Sequence, residues 1–358
     1  MKTNDIKKAL RRKREKEKLT GKDFLSTGST LLNLAITGYP MRGFAKGRYY
    51  FLVGDTSSGK TFLSLTCLAE ASINPRFAKY RFIYDNAEGG ALMDIKEFFG
   101  EEVSNRLLPP NWLKDGPLYS SSIEEFYYHM DDAIKVGHPF IYILDSMDSL
   151  TSQAEGDKFD KTKRAHQRGT RAAGSFGDGK AKWNSAHLRR LLTPLRKSGS
   201  ILIIINQTRD YIGFGHQKKS RSGGHALSFY ACLEMWSSVK KQITKIIRGK
   251  ERQIGTLCQV QVKKNRVKGR DRTVEMPIYH SLGIDDIGSC VDYLIDEGHW
   301  KLRDNTIEAE EFDFEGTRKK LIRYIEKEEM EKDLREIVSD VWNEIEGACK
   351  VKRKRRYG

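Results

Sequence analysis

The chain has 358 residues, enough for one large α/β unit plus small additions. Its 64 Lys and Arg outweigh 48 Asp and Glu, and a net charge of +16 suits a polyanionic partner. Cys67, Cys232, Cys258, Cys290 and Cys349 stand apart with no CxxC pair, no apolar run has the length of a membrane span, and Met1-Lys2-Thr3-Asn4-Asp5 lacks the apolar stretch of a leader. These features argue against a disulfide frame, a cysteine metal knuckle and a spanning helix, and lead to the expectation of a soluble, cytoplasmic protein.

Residues 1–24 read as a short basic N-terminal arm, with nine Lys/Arg and three Asp/Glu in residues 1–20. Ser26-Thr27-Gly28-Ser29-Thr30 then precedes Leu31-Leu32-Asn33-Leu34-Ala35-Ile36, a capped helix start with an apolar run. Apolar strands are predicted at 49–53, 80–84, 140–144 and 201–205, with 230–236 and 257–262 beyond. Their alternation with helical segments predicts an α/β fold with a mostly parallel central sheet covered on both faces. Such sheets bind ligands at the carboxyl ends of their strands.

Residues 158–190 carry ten Lys/Arg and two acids, with Gly169, Gly174, Gly177 and Gly179, and read as a flexible basic loop running into a helix. A second loop is predicted at 208–224, ending in Ser222-Gly223-Gly224. From about 283 a small α-rich C-terminal unit follows. Gly283-Ile284-Asp285-Asp286-Ile287 opens a helix that ends near Gly298, a charged helical stretch covers 317–348, and Lys350 to Arg356 form a basic tail. The expected division is 1–24, 25–282 and 283–358.

The strand ends carry the chemistry. Gly54-Asp55-Thr56-Ser57-Ser58-Gly59-Lys60-Thr61 is a complete phosphate-binding loop between the strand Tyr49–Val53 and a helix from Phe62 to Ala71. Its backbone N–H groups cradle phosphates, Lys60 reaches the β- and γ-phosphates, and the Thr61 hydroxyl ligates magnesium. The cofactors are therefore expected to be ATP and Mg2+. Ile141-Tyr142-Ile143-Leu144-Asp145 ends in an aspartate suited to hold the same magnesium. Phe82-Ile83-Tyr84-Asp85-Asn86-Ala87-Glu88 ends in two carboxylates, and either Glu88 or Asp85 can orient the attacking water. Ile201–Ile205 leads into Asn206 and Gln207. An amide there can contact the γ-phosphate and act as a switch for the loop that follows.

Together these blocks resemble the RecA family of DNA strand-exchange recombinases, phage members of the UvsX type included. The resemblance covers about residues 25 to 340. It rests on Ser26-Thr27-Gly28-Ser29 with Leu34-Ala35, the phosphate loop, Asp145-Ser146, Ile205-Asn206-Gln207-Thr208-Arg209 with Ile212-Gly213, and above all Gly223-Gly224-His225-Ala226-Leu227-Ser228-Phe229-Tyr230-Ala231. It implies a RecA-like core with two DNA-binding loops, at about 152–182 and 208–224. The residues expected on DNA are Lys161, Lys163, Arg164, Arg168 and Arg171 in the first, and Arg209, Tyr211, Phe214, Lys218, Lys219, Arg221, Gly223 and Gly224 in the second. In Lys263-Lys264-Asn265-Arg266 the resemblance assigns Lys264 and Arg266 to the ATP of an adjacent subunit, beside Glu88 and Gln207 as catalytic groups.

The chain departs from the family in four places: the first DNA loop is more basic than usual, the segment before residue 25 is short, and two further differences lie at the site itself. Two residues, Asn86 and Ala87, separate Asp85 from Glu88 where one is usual, and Ser228 stands where bacterial RecA has lysine. The implied function is an ATP-dependent recombinase that forms filaments on single-stranded DNA, pairs it with homologous duplex and exchanges strands in recombination and repair. Single-strand-binding and loader proteins are the further partners, and a phage origin would put it in the host cytoplasm. The competing readings are an ATP-modulated single-strand-binding or annealing scaffold, and a ring helicase on the same core.

Overall fold

In the strand Arg48–Gly54, Tyr50 and Leu52 are buried on one side while Tyr49, Phe51 and Val53 are buried on the other. Ile201, Ile203 and Ile205 alternate in the same way with Leu202 and Ile204. A strand with both faces buried must lie inside a covered sheet. The structure, a computed structural model, describes residues 19–170, 179–210, 219–221 and 224–353, with only the backbone of 209, 210 and 219–221. Residues 1–18 of the predicted arm at 1–24 lie outside these residues, as do Arg171, Tyr211, Phe214, Lys218 and Gly223.

In chain order the first half contains β1 (Phe24–Leu25), α1 (Thr30–Thr37), β2 (Phe44–Ala45), β3 (Arg48–Gly54), α2 (Lys60–Ser72), β4 (Arg81–Asp85), α3 (Ile95–Phe99), α4 (Glu101–Arg106), β5 (Leu107–Leu108), β6 (Asn111–Leu113), β7 (Gly116–Leu118), α5 (Ile123–Lys135) and β8 (Phe140–Leu144). There follow α6 (Gln153–Gln167), α7 (Gly179–Ser198), β9 (Ile201–Asp210), β10 (Lys219–Arg221), α8 (His225–Tyr230), β11 (Leu233–Ile247), β12 (Lys250–Asn265), β13 (Thr273–Tyr279) and β14 (Gly283–Ile284). The C-terminal part holds α9 (Asp286–Asp296), β15 (Lys301–Arg303), β16 (Thr306–Ala309), β17 (Phe314–Gly316), α10 (Arg318–Lys327) and α11 (Glu331–Ala348).

The main sheet runs β14-β13-β12-β11-β3-β9-β8-β4-β5, with β10 paired to β9. From β11 to β5 every pair along this order is parallel; β12, β13 and β14 extend it in antiparallel fashion. The expected mostly parallel, doubly covered sheet is therefore present. No helix among the described residues is long and apolar enough to cross a membrane.

Local signals explain the helix starts. Ser29 caps α1, and Ser122 forms a capping box with Glu125 at α5. Residues 153–167 correct the expected flexible loop: they form α6. Ser152 and Glu155 close a capping box at its start, and its polar residues tolerate a helix without any buried face. The charged stretch 317–348 is likewise two helices, α10 and α11, separated where Glu329 takes a φ of 53°.

Two elements escaped prediction. β11 and β12 form a hairpin far longer than their apolar parts, turning at Arg248 and Gly249, which have φ of 53° and 72°. Positive φ at both central residues matches the twist of a tight hairpin. Its outer half carries Lys240, Lys241, Lys245, Lys250 and Arg252, all exposed, so no apolar period marks it. The β15–β17 meander is also new, its strands being three or four residues long.

One apolar cluster joins α1, α2 and one face of the sheet to Cys290, Leu294, Trp300, Leu321, Leu334 and Trp342 of the C-terminal part. Trp300 is 2% exposed, packs edge-on to Phe312 at 5.8 Å, and donates its Nε1–H to Glu311 at 2.8 Å. Trp300→Ala is expected to cost about 3–5 kcal/mol through the cavity it leaves. Chemical denaturation should show a lower midpoint; an unchanged midpoint would contradict this account of the packing.

Candidate nucleotide-binding site

The register of the parallel strands brings the polar strand ends to one edge. Gly54 pairs with Gln207, and Asp85 pairs with Leu144, the residue before Asp145. Residues leaving β3, β9, β8 and β4 therefore meet above the sheet, where a parallel sheet offers its ligand crevice. The phosphate loop turns into α2 through Gly59, at φ 81°, where a side chain would run into Ile278 of β13.

Within the loop, Lys60 is buried and donates to the carbonyls of Gly54 at 3.0 Å and Asp55 at 2.6 Å. Burial lowers its pKa from the usual lysine value, opposed by the carboxylates of Asp145, Glu88, Asp55 and Asp148. Ser58 donates its hydroxyl to the Asp55 carbonyl at 2.7 Å, and Ser237 of β11 donates to the Ser58 carbonyl. Thr56 and Ser57 complete the turn, Ser57 at φ 59°.

Thr61 Oγ1 donates to Asp145 Oδ2 at 2.6 Å, and the Tyr84 hydroxyl donates to the same oxygen at 2.9 Å. Among the described residues no group of three or more His, Cys, Asp or Glu could hold a metal. A hydroxyl and one carboxylate nevertheless fit magnesium, which keeps several waters and takes its remaining oxygens from phosphates. Thr61 and Asp145 would hold it against a nucleotide, where it neutralises phosphate charge.

The two carboxylates after β4 have different fates. Asp85 is fully buried and accepts from Ser120 N at 2.9 Å, Ser120 Oγ at 2.6 Å and the Tyr142 hydroxyl at 2.7 Å. Ser120 Oγ also lies 2.9 Å from His129 Nδ1. Burial raises the Asp85 pKa, opposed by the Ser120 hydrogen bonds, the Tyr142 bond and His129. Asp85 is thus committed to internal structure. Glu88 is exposed, its N–H bonds to the Asp145 carbonyl at 2.9 Å, and its Oε1 accepts from Gln207 Nε2 at 2.9 Å. Geometry brings Lys60, Thr61, Asp145, Glu88 and Gln207 together.

Several contributors were not foreseen. Asp148 accepts from the Gln207 N–H at 2.5 Å, and Thr208 Oγ1 donates to Asp55 Oδ1 at 2.5 Å. Asp148 lies only three residues past Asp145, a spacing that could have marked it; the partners of Thr208 and Tyr84 come from the sheet and leave no sequence signal.

Lys264 and Arg266 are not near their own phosphate loop. Lys264 pairs with Glu234, and Glu234 with Phe51, three residues short of Gly54. That is roughly 10 Å along the strands and roughly 10 Å across them. Lys264 Nζ donates to the carbonyls of Ser228 at 2.6 Å and Phe229 at 2.9 Å, and Arg266 donates to Phe229 at 2.8 Å. Both cations rest on α8, which starts directly after Gly224.

Of the residues expected on DNA, Lys161, Lys163 and Arg164 are exposed on α6 and Arg168 caps it. Lys161, Arg164 and Arg168 share one face by helical spacing. Arg209, Lys219 and Arg221 belong to the β9–β10 ribbon, in which Ser220 pairs with Arg209 and Arg221 with Thr208. Gly224 abuts Ala181 of α7, so the described ends of the two candidate segments meet.

The family model of the RecA N-terminal domain matches residues 130–285. Protein RecA of Chlorobaculum tepidum is 30% identical over 282 residues, which cover 76% of this chain and 70% of the relative. Protein RecA of Helicobacter pylori is 31% identical over 279 residues, covering 76% of this chain and 70% of the relative. The RadB recombinase structure aligns with a TM-score of 0.47 at 18% identity, over 73% of this chain and 98% of its own. The sheet with its phosphate loop and the extent of the two Protein RecA matches lead to one conclusion: the chain belongs to the RecA family, whose members are DNA-dependent ATPases.

Proposed function

We propose that the chain polymerises on single-stranded DNA with Mg2+-ATP between subunits, holds the strand for pairing with a homologous duplex, and exchanges strands. The observation that carries this reading is the bond from Gln207 to Glu88 beside Lys60. It joins the group suited to orient water with the strand that continues into the second DNA-binding segment. ATP binding raises DNA affinity in this scheme, and hydrolysis lowers it. Residues 25–282 form the ATPase core, residues 1–24 a basic arm, and residues 283–358 a small C-terminal unit. Sequence selectivity comes from base pairing, because Lys and Arg of α6 and the β9–β10 ribbon grip backbone phosphates. Single-strand-binding and loader proteins would be its helpers, and a phage origin would place it in a host cytoplasm.

The chemistry assigned to these residues is positional. Lys60 leaves the Gly54 and Asp55 carbonyls for the β- and γ-phosphates. Glu88 holds a water in line with the γ-phosphorus and takes up its proton. Gln207 exchanges Glu88 for a γ-phosphate oxygen. Lys264 and Arg266 serve the neighbour's nucleotide, a role supported by their distance from the phosphate loop of their own subunit.

Pairing activity is tested by joint-molecule formation between single-stranded DNA and supercoiled homologous duplex with ATP. Joint molecules are expected, and DNA binding with annealing alone would favour the scaffold reading. Glu88→Gln is expected to keep nucleotide binding and lose steady-state hydrolysis at least about a hundredfold. Asp85→Asn should instead lower stability. A hydrolytically active Glu88→Gln with an inactive but stably folded Asp85→Asn would reverse the assignment. Lys60→Ala and Lys264→Ala should each abolish filament ATPase, and mixed filaments should recover part of it. No recovery despite co-assembly would place Lys264 in cis or on DNA alone.

A further inference from the structure

Gln207 has a neighbour with its own line to the phosphate loop. We infer that Thr208 and Asp55 form a latch between that loop and the base of the β9–β10 ribbon, a second positioning contact that reports nucleotide occupancy in parallel with Gln207. This rests on the proposed nucleotide-gated DNA binding and deepens it.

Three observations meet at the latch. First, Thr208 Oγ1 donates to Asp55 Oδ1 at 2.5 Å, a short bond to a carboxylate between partly buried residues. Second, the main chain of the same Asp55 is what Lys60 holds: its carbonyl accepts from Lys60 Nζ at 2.6 Å and from Ser58 Oγ at 2.7 Å. Third, Thr208 is the β9 residue at which the ribbon begins, paired with Arg221 of β10. When Lys60 turns to a phosphate it must release the Asp55 carbonyl, and the peptide that moves carries the carboxylate holding Thr208. Phosphate oxygens brought close to that carboxylate also repel it.

Strand geometry makes the two contacts complementary. Side chains at successive positions leave opposite faces of a strand. Gln207 reaches Glu88, beyond β4, while Thr208 reaches Asp55, beyond β3. The ribbon is therefore anchored twice, once to the carboxylate that follows β4 and once to the phosphate loop. Loss of either anchor lets the ribbon, with Arg209, Lys219 and Arg221, change its direction.

The test compares Thr208→Val, which keeps the branched shape and removes the donor, with Thr208→Ser, which keeps the donor. Amide hydrogen exchange at residues 208–210 and 219–221 is followed with and without a non-hydrolysable ATP analogue, in the absence of DNA. The ratio of single-stranded DNA affinities with the analogue and with ADP is measured separately. In the wild type the analogue should change exchange in the ribbon. Thr208→Val should lose most of that response and reduce the affinity ratio at least about fivefold, the lower end of a typical coupling between two sites. Thr208→Ser should restore both. Analogue affinity of Thr208→Val within about threefold of wild type shows that the loop still binds. An exchange response in Thr208→Val equal to wild type overturns the latch whatever DNA does. Equal loss in Thr208→Val and Thr208→Ser assigns the effect to packing and also overturns it. If wild type shows the exchange response but no nucleotide-dependent DNA binding, the latch stands and the recombinase reading falls.

Discussion

A buried ammonium group organises the nucleotide edge of this protein. Lys60 sits among four carboxylates, Asp145, Glu88, Asp55 and Asp148, and spends its bonds on two carbonyls of its own loop. Burial disfavours its charge and lowers its pKa, and the surrounding carboxylates oppose that shift. Those carboxylates come from three separate segments, following β3, β4 and β8, so the lysine lies where three strand ends converge. A nucleotide adds further negative charge to this ring. Magnesium, which Thr61 and Asp145 would hold, would supply the compensation together with Lys60.

The sheet turns that local event into a wider one. β9 lies between β3 and β8 and carries Gln207 in register with Gly54, followed by Thr208. Both its faces are packed with isoleucine and leucine, so the strand itself is held firmly. Beyond the edge the chain continues into the ribbon with β10 and then into α8. The same α8 carries the carbonyls on which Lys264 and Arg266 rest. The segment expected on DNA therefore has the nucleotide contacts at one end and the two outward cations at the other.

Much of this was legible in the chain. The phosphate loop, Asp145 and Gln207 all sit where apolar strands stop, and periodicity locates strand ends well when both faces are buried. Fates decided across the sheet were not legible. Asp85 and Glu88 look equivalent until Ser120 and Tyr142, 35 and 57 residues away, are seen to consume Asp85. The α6 segment reads as a loop because it buries nothing, so a single capping box decides its helix. The long β11–β12 hairpin is hidden for the related reason that its outer half is held by backbone pairing, with charged side chains on both faces. The contact of Thr208 with Asp55 joins residues 153 apart and exists only because β3 and β9 are neighbours.

Electron microscopy of the chain on single-stranded DNA, with magnesium and a non-hydrolysable ATP analogue, tests the central claim that nucleotide held at this edge drives assembly on DNA. The account predicts regular helical filaments with the analogue, few with ADP, and nucleotide density between subunits close to Lys264 and Arg266 of the adjoining protomer. Closed rings, or equal coating of DNA with and without nucleotide, would contradict it.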